Sequence, residues 1–160
     1  MNNDIKIGVI GGDLRQLFAA DELASDGYEV AVYGFDAYAG SFGKTTRCLS
    51  IGDVIRKSDF IVLPLPYSID KIHLNTPLSE SEIHLKDIFD IVEENQIVLG
   101  GKLDAVSENL ALEKKLNLID YYKREDLEIL NAIPIDDTKG GYSQKRQENS
   151  QFCGLQKYPN

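Results

Sequence analysis

The sequence has little of what would place it in several broad classes. Basic charge is in deficit: 17 Lys and Arg stand against 26 Asp and Glu, a net charge of −9. A wide electrostatic footprint for nucleic acid or anionic lipid is therefore disfavoured. Long apolar runs are lacking too. The longest, Phe60 to Pro66, is broken by prolines and is far shorter than the ~20 residues a membrane span needs. The start, Met1-Asn2-Asn3-Asp4, has neither the basic residues nor the apolar stretch of a signal peptide. Cysteine is scarce, and Cys48 and Cys153 lie far apart, which reads as two free thiols in a reducing compartment. The expectation is a soluble cytoplasmic chain with no nucleic-acid or membrane partner. What is present is 160 residues, 42% of them apolar, enough for one substantial core.

Periodicity places the elements. Ile5 to Ile10 is a short β-branched run, Gly11-Gly12-Asp13 interrupts it, and Leu14, Leu17, Phe18 and Leu23 follow at helical spacing up to Asp26-Gly27. Glu29 to Tyr33 resumes a strand. The Gly-, Ser- and Thr-rich segment from Ala37 to Arg47 reads as a loop, and Ser50 to Lys57 as a short helix. Phe60 to Leu65 has the continuous apolar pattern of a strand covered on both faces, ending near Leu63 because Pro64 and Pro66 cannot sit in a central strand. Tyr67 to Glu82 loses periodicity and reads as a long excursion outside the carboxyl edge of the sheet. The helical stripe Leu85, Ile88, Phe89, Val92, a strand over Gln96 to Leu99, a helix over Leu103 to Leu116, a strand over Asn117 to Tyr121 and a last helix over Arg124 to Ala132 complete the alternation.

Five β/α units predict an α/β fold: a flavodoxin-like or Rossmann-like three-layer sandwich around a five-stranded parallel sheet, order 2-1-3-4-5. Ligands on such sheets bind where the strands' carboxyl ends meet the loops. Residues 1–134 read as this domain. After Pro134 the character changes: Thr138 to Asn160 carries four basic side chains and one acidic, a local charge of +3 that leaves −12 for the preceding 137 residues. Residues 135–160 read as an irregular tail unrelated to the domain.

The turn after the first strand invites a dinucleotide reading, but the spacing argues against it. With Gly11 as the first glycine of G-x-G-x-x-G, Asp13 and Gln16 fall on the other two places, and Asp13 puts a carboxylate where phosphate would sit. Asp13 suits the helix N-cap. Arg15 is a cation in a first helical turn, where the dipole disfavours it. It reads either as a guanidinium fork for a ligand carboxylate or as a solvent-exposed side chain. Gly43-Lys44-Thr45-Thr46 superficially suggests a Walker A loop, yet position 38 is Tyr and the segment follows the second strand. A receiver domain's phosphorylatable Asp is absent at the end of the third strand, and so is a flavodoxin-type FMN loop. His73 and His84 have no carboxylate or cysteine at metal-ligand spacing and read as surface residues, with His73 the better placed to meet a ligand. Asp120, Lys123, Arg124, Glu125 and Asp126 read as a solvated helix start, and Tyr121 and Arg124 as residues that could face the cleft.

The strings IGVIGGDLRQL (Ile7 to Leu17), VYGFD (Val32 to Asp36), LPLP (Leu63 to Pro66), LGGK (Leu99 to Lys102) and REDLEILNAIP (Arg124 to Pro134) together resemble the N-terminal domain of the dipicolinate synthase A-subunit. The resemblance covers residues 5 to 134. It implies an enzyme of sporulation, in the mother-cell cytoplasm, that oxidises a dihydrodipicolinate-level acid to dipicolinate with NADP as hydride acceptor. It also implies work with the dipicolinate synthase B-subunit; separately, a homodimer is a candidate assembly. In that family the N-terminal domain is similar to the substrate-side domain of D-2-hydroxyacid dehydrogenases, and a second Rossmann domain carries the nucleotide. The sequence departs from the family after Ile133-Pro134, where a helical linker and the G-x-G-x-x-G domain would follow. A one-base shift of the codons for Lys139-Gly140-Gly141-Tyr142 can encode family-like text, so a truncated or frameshifted gene is the expectation.

The expected role is therefore a substrate-side domain for a small dicarboxylate, binding no NADP and inactive alone. Its site is expected from Gly11, Gly12, Asp13 and Arg15, from Pro64 and Pro66, from Gly100, Gly101 and Lys102, and from Arg124. The cations Arg15, Lys102 and Arg124 would orient the acid. No metal and no catalytic base can be named. The alternative is a noncatalytic assembly or ligand-binding module, or a nonfunctional product.

Overall fold

β-branched residues dominate the first two strands, and both form where the pattern places them. In the computed structural model, which describes residues 4–123, β1 is Lys6–Ile10 and β2 is Glu29–Tyr33. They pair in parallel, Lys6 opposite Glu29 and Ile10 opposite Tyr33. The crossover between them is α1, Leu14–Ser25. Asp13 starts it as N-cap, its carboxylate accepting the Arg15 backbone N–H at 2.9 Å, and Asp26 closes it. Leu17 and Ala20 of α1 bury against Ile7 and Val9 of β1, Val30 and Val32 of β2, and Phe35. That makes one of the two core layers.

The chain then crosses to the other face. A two-residue strand β3, Thr46–Arg47, leads to α2, Ile51–Arg56, capped by the Ser50 hydroxyl, and to β4, Phe60–Val62. After the long excursion come α3, Leu85–Ile91; β5, Ile97–Gly100; α4, Ala105–Glu113; and β6, Asn117–Asp120, followed by a 3₁₀ turn at Tyr121–Lys123. Val54 and Ile55 of α2, Ile88 and Phe89 of α3, Ile10, Ile61 and Val98 form the second core layer, into which the excursion sends Tyr67, Leu74 and Ile83.

The sheet order is β3-β2-β1-β4-β5-β6, all pairs parallel. The five strands expected from the sequence stand in the expected order, and a sixth is added. β3 lies within the segment that reads as a loop, pairing Thr46 with Ala31 and Arg47 with Val32 at the sheet edge. Both of its residues are exposed, so it carries no apolar alternation to reveal it. The helix read over Arg124 to Ala132 and the tail lie outside the described residues.

The topology places a switch point at the carboxyl edge of the sheet. From β1 the chain moves to β2 on one side, then returns past β1 to β4 on the other. The two crossovers leave in opposite directions, and the loops after β1 and β4 part at the carboxyl edge to leave a crevice.

Candidate functional site

The first wall of that crevice is the β1–α1 turn. Gly11 and Gly12 both have positive φ, +74° and +99°, where side chains are strained. The turn is also crowded. A Cβ on Gly11 would stand 2.6 Å from Thr76 Cγ2, and one on Gly12 would stand 2.7 Å from Gln16 Cβ. The two backbone N–H groups point into the protein. Gly11 donates to the Tyr33 carbonyl at 2.9 Å and Gly12 to the Asn75 carbonyl at 3.0 Å. Just beyond them the Asp13 carboxylate occupies the helix N-terminus and accepts the Arg15 guanidinium, Nη2 to Oδ2 at 2.7 Å and Nε to Oδ2 at 3.1 Å. The Arg15 side-chain hydrogen bonds hold the Asp13 carboxyl below the usual carboxylate range.

The opposite wall is Pro64-Leu65-Pro66, which follows β4 and contains a cis Leu65–Pro66 peptide. Tyr67 anchors this wall. Its ring is buried, its hydroxyl donates to Asp104 Oδ2 at 2.8 Å and contacts the Ser107 hydroxyl, and burial pushes the phenol up to about 12. The excursion folds back over the crevice as a third wall. Asn75 donates its backbone N–H to the Tyr67 carbonyl at 2.8 Å and its side-chain amide to the Pro66 carbonyl at 3.1 Å. Tyr121 closes the far end, its hydroxyl donating to the Leu63 carbonyl at 3.1 Å and burial pushing it up to about 12. The resulting cleft is open to solvent and holds about 320 Å³, at the small end of the roughly 300–1,000 Å³ of small-molecule sites.

Of the residues expected in the site, the structure brings Gly12, Asp13, Arg15, Pro64 and Pro66 to this cleft. Gly11 lies behind it, against Thr76 and Leu74. Gly100 and Gly101 pack against Leu103 and Leu65. Lys102 adopts φ +61° and carries its ammonium 4.9 Å over the Tyr122 ring. Arg124 lies outside the described residues. Gln16 and Ala19 also line the cleft, and their spacing of three on α1 is a legible signal. Asn75 carried no such signal, because a loop has no period.

Two expectations are corrected by geometry. His73 is not isolated: Nδ1 lies 2.7 Å from Asp70 Oδ2, Nε2 lies 3.1 Å from Glu82 Oε1, and its ring centre is 4.4 Å from that of His84. A tight turn in which Asp70 also accepts the Ile72 and His73 backbone N–H groups brings them together. Asp120 is not a solvated helix start. Its carboxylate accepts N–H groups from Lys102 at 3.1 Å, Leu103 at 2.8 Å and Tyr122 at 2.9 Å. Among the described residues no group of three or more His, Cys, Asp or Glu side chains could hold a metal ion, and no helix is long and apolar enough to cross a membrane.

The β1–α1 turn does not suit a nucleotide. A pyrophosphate there needs free backbone N–H groups and no competing anion, whereas both glycine N–H groups are engaged and a carboxylate stands at the helix start.

The family model of the dipicolinate synthase A-subunit N-terminal domain matches residues 6–122. The chain is 31% identical over 136 residues to the dipicolinate synthase A-subunit of Bacillus subtilis (strain 168), covering 84% of this chain and 46% of that protein. The crystal structure of the dipicolinate synthase A chain from Bacillus subtilis matches with a TM-score of 0.71 at 28% identity, over 94% of this chain and 50% of that one. The dipicolinate synthase A-subunit from Bacillus halodurans matches with a TM-score of 0.69 at 23% identity, over 91% and 50%. The chain spans about half the length of these relatives. With the same parallel sheet and more than two thirds of its residues under the family model, this chain belongs to the dipicolinate synthase A-subunit N-terminal domain family.

Proposed function

We propose that this domain forms the acid-binding wall of a dipicolinate synthase, holding a dihydrodipicolinate-level dicarboxylate in the cleft between the loops after β1 and β4 while it is oxidised to dipicolinate during sporulation. The observation that carries the reading is a cleft at the topological switch point with a guanidinium at its rim and a first turn closed to phosphate. Arg15 supplies a planar fork that matches a carboxylate, and the neighbouring Asp13 keeps that fork in place until an acid competes for it. NADP, the acceptor the family implies, has no seat on the β1–α1 turn. We assign it to the part of the relatives that this chain does not match.

Titration of the purified chain with dipicolinate and, separately, with NADP tests this, read by amide shifts in NMR and by calorimetry. Dipicolinate is expected to shift Gly12, Gln16 and Asn75, and Arg15→Ala to weaken binding by the roughly 1.5–3 kcal/mol of a charged hydrogen bond, about 10- to 150-fold. NADP shifting Gly11 and Gly12, or dipicolinate leaving the cleft unmoved, would overturn it.

A second reading, an assembly surface for the dipicolinate synthase B-subunit or for a second copy, is favoured by α4. Leu112 is 75% exposed there, beside Leu116 and Leu118 in a shallow groove. A stable complex that survives Arg15→Ala and fails with Leu112→Glu would support it.

A further inference from the structure

One polar atom of a cleft-lining side chain has no counterpart. Gln16 sits in the first turn of α1, and its side chain lies along Gly12, where a Cβ would stand 2.7 Å from Gln16 Cβ and 2.9 Å from Cγ. The bare glycine is what admits it. The amide nitrogen Nε2 is shielded from solvent, and it is the one buried side-chain nitrogen or oxygen among the described residues with no hydrogen-bond partner. The other polar side chains lining the cleft are engaged. Asp13 is paired with Arg15, the Asn75 amide donates to the Pro66 carbonyl, and the Tyr121 hydroxyl donates to the Leu63 carbonyl.

A buried donor without an acceptor costs stability in the ligand-free fold, so its presence against a cleft calls for an acceptor that arrives from outside. The amide has only donors on its nitrogen, and a carboxylate only acceptors on its oxygens. The last side-chain torsion is broad in Gln, so the N–H groups can turn without moving α1. We propose that Gln16 is a ligand-recognition residue, its Nε2 donating to a carboxylate oxygen of the acid bound between the β1 and β4 loops. This rests on the acid-binding reading of the cleft and adds a neutral donor to the Arg15 fork. The two residues meet different needs. Arg15 is exposed at the cleft and answers to charge, whereas Gln16 is half-buried with a shielded Nε2 and answers to position, rejecting molecules that present a C–H where the acid presents oxygen.

The test uses the whole 160-residue chain, dipicolinate as probe, and two variants. Gln16→Leu keeps the size and removes the donor. It is expected to weaken dipicolinate binding at least about 10-fold while the urea midpoint of the free chain stays level or rises, because the orphaned donor is gone. A purely structural glutamine would lower both. Gln16→Glu keeps the shape and puts a carboxylate where the amide was, and it is expected to lose measurable binding with the fold intact by circular dichroism. If the wild-type chain binds dipicolinate and either folded variant binds within about twofold of it, or if Gln16→Leu lowers the midpoint and the affinity together, this assignment fails and the acid-binding cleft stands. If the wild-type chain does not bind dipicolinate, both fail.

Discussion

Gly12→Ala tests the packing of the cleft's first wall most directly, because two separate penalties can be read at one atom. The new methyl group would sit 2.7 Å from Gln16 Cβ and 2.9 Å from Cγ. It would do so on a residue held at φ +99°. A non-glycine residue forced into a sparsely populated backbone region costs of order 1–3 kcal/mol, and overpacking typically costs about another 1–3. The sum is roughly 2–6 kcal/mol, a large share of the roughly 5–15 kcal/mol that holds a domain together. Gly52→Ala is the control. There the nearest atom to the new Cβ, Arg56 Nη1 at 2.8 Å, is the end of an exposed flexible side chain, and the residue lies inside helix α2. Arg56 can move aside, so the helix preference of Ala over Gly decides the sign, and a gain of roughly 0.5–1 kcal/mol is expected. Urea denaturation followed by circular dichroism separates them. With slopes of roughly 1–3 kcal/mol per molar, a loss of about 3 kcal/mol moves the Gly12→Ala midpoint down by about 1–3 M, while the Gly52→Ala midpoint moves up. Midpoints that shift in the same direction by similar amounts would refute the argument from backbone sign and contact type.

Further perturbations follow from the same geometry. The Asp70 hydrogen bond raises the His73 pKa, so a proton NMR titration should put its midpoint above the ordinary ~6.5, and Asp70→Asn should bring it back down. By linkage the His73 contribution is complete below ~6.5 and lost as pH rises through the raised value. The Asp70 pKa is lowered by the same pair, so its contribution is complete above ~3.9 and lost as pH falls through the lowered value. The excursion should therefore be held most firmly between about pH 4 and 6.5, measurable as hydrogen-exchange protection of the Asp70 to His73 turn. Asp120→Ala removes the acceptor of three backbone N–H groups at once and should cost about 1–3 kcal/mol in urea unfolding, Asp120→Asn less. Tyr67→Phe withdraws the hydroxyl from Asp104 and Ser107 and should cost a similar amount. An unchanged midpoint would show that those contacts do not bear on stability.

What could be read in the sequence divides along physical lines. The buried strands were legible because covered parallel strands need continuous apolar residues, and Ile7 to Ile10 and Val30 to Val32 supply them. Asp13 was legible as a cap because capping depends on the residue and its immediate neighbours. Contacts made by folding distant segments together were not. The Gly12 N–H to Asn75 carbonyl bond spans 63 positions, and the Asp120 carboxylate reaches back to Lys102 and Leu103. β3 has the opposite difficulty, since two exposed residues at an edge hold too little pattern to mark a strand. Within the site, charge marks Arg15 and Lys102, but Lys102 has a left-handed backbone and its ammonium lies over Tyr122. The uncharged Gln16, one residue along from Arg15, reaches the cleft instead.

A glycine-rich turn between a strand and a helix is ordinarily an anion site because its N–H groups point outward and the helix dipole favours negative charge. Here each of those sources is satisfied from within. Tyr33 and Asn75 carbonyls take the glycine N–H groups, and the Asp13 carboxylate takes the helix end. The two glycine N–H groups are therefore not available to an anion at this turn, which leaves the cleft's side chains, set by elements on either side of the switch point, as its more accessible donors. A diphosphate offers charge spread over many oxygens and gains most from a row of backbone donors. A planar dicarboxylate offers two compact groups and gains most from one fork and one well-placed amide. With both glycine N–H groups engaged and Arg15 and Gln16 successive on α1, the second kind of ligand is the one we propose, on a chain whose overall charge of −9 would otherwise repel it.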